Sequence, residues 1–181
     1  MLFRSEAFEL FDQAAAVLAA PAGAKPGDVT LRDRLHACRR QRAMALSKTG
    51  RHAEALDEWN RLVAAGDGPT PTLTRSGRAL ALARVGAAVK ALAEVDSIEH
   101  TPDLDAATCR ELARVLATLA GPSSQSELAD RAVAWVRRSL AVADQGLDDL
   151  VPDPDLDSLR SRTDFGLLAM DEVMPLDTFA P

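Results

Sequence analysis

Gly50 and Gly86 are each followed, at identical spacing, by an alanine and then two large apolar residues. Ala55, Trp59 and Leu62 follow the first glycine; Ala91, Val95 and Ile98 follow the second. Ahead of the glycines, Ala43 with Leu46 and Ala79 with Leu82 repeat as well. A glycine placed this way closes a helix, because the left-handed backbone is cheap only without a Cβ. An alanine on the next helix lets the pair cross closely, and large residues three or four positions on extend the same stripe. Recurrence at an interval of a few tens of residues marks stacked units, none of which can bury its apolar face alone. A third, altered unit carries Cys109, Leu112, Ala113 and Leu116, then Ala132 and Val136, across the longer connection "AGPSSQSELAD". The expected fold is therefore all-α, an α-solenoid of about three helix hairpins with capping helices.

Composition agrees with close helix crossing. Aromatic residues are only 4% of the chain against 47% hydrophobic overall, so alanine, the best helix former, supplies much of the apolar surface. Apolar periodicity predicts helices over 3–20, 31–48, 52–65, 73–85, 88–98, 105–120, 128–143 and 163–173, with prolines and glycines clustered between them. Three segments follow: an N-terminal capping helix and linker at 1–30, repeats at 31–145, and a closing motif, short helix and tail at 146–181.

Several function classes are disfavoured. A net charge of −6 is the wrong sign for a nucleic-acid footprint. No apolar run approaches the ~20 residues of a membrane span. Glu6, Glu9 and Asp12 stand where a secretion signal needs positive charge. Phe3, Ala7, Leu10, Phe11, Ala14 and Leu18 instead trace one face of a helix, so the cytoplasm is the expected location. Cys38 and Cys109 lie in helical stretches and are expected to be buried free thiols. His36, His52 and His100 are scattered without ligand partners one turn away, against a zinc site. "DPDLDS" opens like a calcium loop, but Ser158 and Asp164 stand where glycine and glutamate are required. Asp153, Asp155 and Asp157 are expected to cap and solvate. Lys48-Thr49-Gly50 lacks the companion S-x-x-K of the β-lactamases and reads as a helix end. No phosphate-binding glycine loop is present, and neither metal, cofactor nor enzymatic activity is expected.

The spacing around Gly50 and Gly86 resembles tetratricopeptide repeats. The succession "TGRHAEALDEW", "ELARVLATLA" and "LADRAVAWVRRSLAVADQGLDDLVPDPDLDSLRSRTDF" is similar to the helical-repeat C-terminal tail of bacterial serine/threonine protein kinases. The likeness covers roughly residues 30–173, and "DPDLDSLRSRTDF" is its most specific part. It implies a noncatalytic module that binds protein, either a scaffold or the detached regulatory tail of a kinase system. Asp164-Phe165-Gly166 spells the kinase metal-binding triplet, but the glycine-rich loop, strand lysine and H-R-D loop are absent. Asp164 is better placed in the first turn of a helix behind a Thr163 cap, with Phe165 in the core.

In tetratricopeptide arrays the first helix of each pair lines the concave surface. By register with the glycines, that resemblance places Arg40, Gln41, Met44 and Lys48 inward, then Arg84, then Arg110 and Arg114. Such a groove suits a protein or peptide partner with an acidic or phosphorylated segment. Relatives that clamp a chaperone-tail carboxylate use asparagines on this face; Met44 and Leu80 stand there in this chain.

Overall fold

The computed structural model describes residues 2–25, 27–66, 68–121, 126–142 and 152–173. Among them every regular element is helical, as the periodicity predicts. The order is α1 (Leu2–Ala24), α2 (Val29–Lys48), α3 (His52–Ala65), α4 (Pro71–Arg84), α5 (Ala88–Glu99), α6 (Ala106–Ala120) and α7 (Glu127–Val142). A 3-10 helix (Pro154–Leu159) and α8 (Thr163–Val173) complete it. The run "QGLDDLV" and residues 174–181 of the tail lie outside the described residues.

Both glycines do what their spacing requires. Gly50 has φ of +79° and Gly86 of +82°, and each stands two residues after one helix and two before the next. At the end of α2 the Arg51 N–H donates to the Leu46 carbonyl (2.9 Å), and the Gly50 N–H to that of Ser47 (3.2 Å). This paired closure satisfies carbonyls that the helix end would leave orphaned. The Thr49 hydroxyl adds bonds to the carbonyls of Ala45 and Leu46.

The chain forms two compact units, Met1–Gly86 and Ala87–Pro181. The division falls inside the 31–145 segment read as continuous repeats. It also separates α4 from α5, the two helices of the second expected hairpin.

In the first unit, α2 packs on α1 and α3, and α3 on α4. Ala43, Leu46, Ala55, Trp59, Leu62 and Ala81 form its buried cluster, with Phe8, Met44 and Leu56 against the edge. Trp59 lies on Gly77 of α4: a Cβ added there would fall 2.6 Å from the indole. The small residue facing the large ring is thus Gly77 of α4. Leu82, expected on the buried stripe, is only half-buried.

Two features of α1 differ from expectation. The helix does not stop at residue 20 but continues through Pro21, and the Lys25 N–H still bonds the Pro21 carbonyl (3.0 Å). A proline removes its own N–H yet leaves the following turn able to form. Leu10 is 64% exposed and Ala14 is exposed, whereas Phe11 and Leu18 are half-buried as expected, with Phe8 beside them; the side chains of Phe3 and Ala7 lie outside the described residues.

In the second unit α6 packs on α5, α7 and the 3-10 helix. Val95, Ile98, Cys109, Leu112, Leu116 and Val136 are fully buried, matching the repeat positions. Asp105 caps α6, accepting from the Thr108 N–H (2.7 Å). The "DPDLDSLRSRTDF" stretch supplies more core than caps: Leu156 and Leu159 are fully buried, and the Ser158 hydroxyl bonds the Ala117 carbonyl (3.0 Å). Phe165 is buried, as expected. The cap of α8 sits one residue earlier than read, since the Arg162 carbonyl takes the Gly166 N–H while Thr163 is already helical.

Candidate functional site

Charge in the first unit is sorted by helix. Six basic residues against one acidic lie on α2, and three against none on α4. By contrast, α1 and α3 each carry three acidic residues against one basic. In a chain of net charge −6 this makes α2 a cationic element on an acidic body.

Part of that cationic charge is consumed internally. Arg42 bridges Asp12 of α1 (2.7 Å) and Glu58 of α3 (3.3 Å), and Arg61 also reaches Glu58 (3.1 Å). Glu58 is buried, so these two guanidiniums supply the pairing its charge requires. Arg32, Arg75, Arg78 and Arg84 are also engaged. Arg34, Arg39, Arg40 and Lys48 make no ion pair among the described residues. Arg34 and Lys48 are exposed; Arg39 and Arg40 are half-buried.

The seven groove residues inferred from the repeat register are divided between the units. Arg40, Gln41, Met44, Lys48 and Arg84 belong to the first, Arg110 and Arg114 to the second. Gln41 is exposed, whereas Met44 packs against the core cluster. Leu80, the other position aligned with a carboxylate clamp, is buried. Arg110 is half-buried. Arg114 is held by Glu111 one turn back and by Asp153 at the start of the 3-10 helix, both at 2.5 Å. Asp153 is itself buried and also takes the Asp155 N–H (3.0 Å). That guanidinium ties the closing motif to α6. Arg34 and Arg39 were missed by the register, although the excess of arginine between Arg32 and Arg42 was visible.

Where α2 crosses α3 a crevice of about 120 Å³ opens, lined by Arg32, Leu35, His36, Arg39, Leu62 and Ala65. The hairpin is antiparallel about Gly50, so the small residue ending α3 faces the amino-terminal half of α2. Gly68 sits directly on the His36 ring, with no room for a Cβ. Burial pushes the His36 imidazole below its ordinary pKa; Arg40 and Arg39 push the same way, and Asp33 opposes them.

Neither thiol is activated. Burial raises the pKa of Cys38 and of Cys109, the reverse of what a nucleophile needs. Cys109 is buried as expected, but Cys38 only half so. Among the described residues no cluster of histidine, cysteine and carboxylate has metal-binding geometry, and no helix is long and apolar enough to cross a membrane. No protein family, curated protein or solved structure matches the chain.

Proposed function

We propose that this chain is a non-catalytic protein-binding scaffold of tetratricopeptide type, acting in the bacterial cytoplasm and capturing an acidic or phosphorylated segment on α2. The observation that supports the reading is the cationic charge on α2 that makes no ion pair among the described residues: Arg34, Arg39, Arg40 and Lys48. Guanidiniums held by a rigid helix are good donors to carboxylate and phosphate, because their fork geometry is fixed in advance. Surface cations of this kind raise the encounter rate with an acidic partner and choose against basic ones.

Fluorescence anisotropy with a fluorescein-labelled glutamate-rich peptide tests this reading. Combined Arg39→Glu, Arg40→Glu and Lys48→Glu should weaken capture by about tenfold or more while circular dichroism stays unchanged. Undiminished capture by the triple variant rejects α2 as the site. A second reading, the detached regulatory tail of a serine/threonine kinase system, draws on the likeness of "DPDLDSLRSRTDF" to the closing motif of such tails. It requires that the chain co-purify with an active kinase from its native lysate.

A further inference from the structure

The crevice between α2 and α3 has a different chemistry from the open cationic face beside it. Leu35, Leu62 and Ala65 give it apolar walls, while Arg32, His36 and Arg39 stand around them. Leu62 belongs to the core cluster, so the wall is continuous with the unit's interior. At about 120 Å³ the crevice, open to solvent, has room for one aliphatic side chain entering from outside.

Arg39 makes no ion pair among the described residues, so an incoming carboxylate has a guanidinium beside the apolar hole. With the imidazole held towards its neutral form, Arg39 and Arg32 carry the positive charge there at neutral pH. A purely polar anion would leave the Leu35–Leu62–Ala65 wall uncovered. A purely apolar ligand would desolvate Arg39 without pairing it, which costs free energy.

We infer that this crevice anchors one aliphatic side chain of an acidic protein segment, with a neighbouring carboxylate of that segment paired to Arg39. The inference rests on the reading of α2 as an acidic-segment site and specifies what that segment must contain. Recognition therefore requires a leucine-like residue flanked by aspartate or glutamate, rather than negative charge alone.

Two labelled peptides of the same glutamate-rich sequence, one with a central leucine and one with alanine there, separate the possibilities. The leucine peptide should bind the native chain about tenfold more tightly, the scale of burying one aliphatic side chain. Ala65→Leu fills the crevice from an exposed position at the end of α3, so folding is preserved and the preference should disappear. Arg39→Glu should weaken both peptides. If both bind the native chain equally and both are weakened by reversing the α2 charges, the anchor is wrong while the acidic-segment reading stands. A leucine preference that survives Ala65→Leu also overturns the anchor. Binding of neither peptide overturns both. Self-association abolished by Ala65→Leu would assign the crevice to a second copy of the chain and overturn the peptide anchor.

Discussion

In the unit Ala87–Pro181, Arg114, Arg131 and Arg162 each lie between two carboxylates. In the unit Met1–Gly86, the helix richest in arginine leaves Arg34, Arg39 and Arg40 without an ion pair among the described residues. The partners in the second unit are distant in sequence: Asp153 for Arg114, Asp96 and Glu99 for Arg131, Asp130 for Arg162. Glu99 is further fixed by the Trp135 indole N–H, which donates to its other oxygen (2.7 Å). There these three arginines fasten one element to the next. On α2 it is Arg42 that holds Asp12 and Glu58, and Arg34, Arg39 and Arg40 have no ion-pair partner among the described residues. A basic residue on a helix is thus a binding group or a structural one according to what the fold brings opposite it.

The contrast presumes that α2 is held by a well-packed core, and the largest expected effect tests that premise. Trp59 is buried against Gly77 and touches the Ala43–Leu46 cluster, so Trp59→Ala should cost ~3–5 kcal/mol in urea unfolding. A loss within experimental scatter would mean that α2 is not carried on a fixed surface. The contrast would then fail at its base.

A smaller effect addresses the arginines themselves. Arg114→Ala leaves Asp153, a buried carboxylate, without its guanidinium, and should destabilise by ~1–3 kcal/mol. Arg40→Ala removes a side chain with no ion pair and should stay within about 0.5 kcal/mol of the native chain. Equal losses for the two variants would erase the distinction between fastening and spare arginines. The result also decides how the acidic-segment reading is probed, since reversing Arg114 would disturb folding rather than capture.

The helices were legible because their signals are local. The glycines that close α2 and α4, the alanines five residues on and the stripe after them appear in the chain at fixed spacing. Of the alanine and large apolar positions flanking the two glycines, Ala43, Leu46, Ala55, Trp59, Leu62, Ala79, Ala91, Val95 and Ile98 are buried and Leu82 only half so. The start of α8 slipped by one residue, because the Arg162 carbonyl already accepts the first helical bond, from the Gly166 N–H. The site was less legible, because a groove register assumes that equivalent helices present equivalent faces. Met44 turned out to support the core and Arg114 to hold the closing motif. Their partners lie on elements that register does not see, Asp153 being 39 residues from Arg114. The pairing of Trp59 with Gly77 was hidden for the same reason. The crevice had no signal at all, since it arises where Leu35 and Ala65 meet across an antiparallel turn.

The smallest expected effect probes the burial of His36 together with the charge around it. If Arg39 and Arg40, which make no ion pair among the described residues, raise the local positive potential, His36 beside them must feel it. Burial disfavours its charged form, Arg40 and Arg39 add to the effect, and Asp33 opposes; Gly68, Leu62 and Ala65 bring no compensating charge. The folded chain therefore holds the imidazole below the unfolded value of about 6.5, and favours its neutral form. Stability from this source is complete above that value and is lost as the pH falls through the lower folded one. His36→Gln removes the titration while keeping a polar side chain of comparable reach. The stability of the native chain relative to His36→Gln should therefore decline between about pH 7.5 and 5.5, by urea unfolding at each pH. A difference that is flat, or that grows on acidification, would show that His36 is neither desolvated nor set among uncompensated cations, and would remove the electrostatic half of the contrast with the second unit.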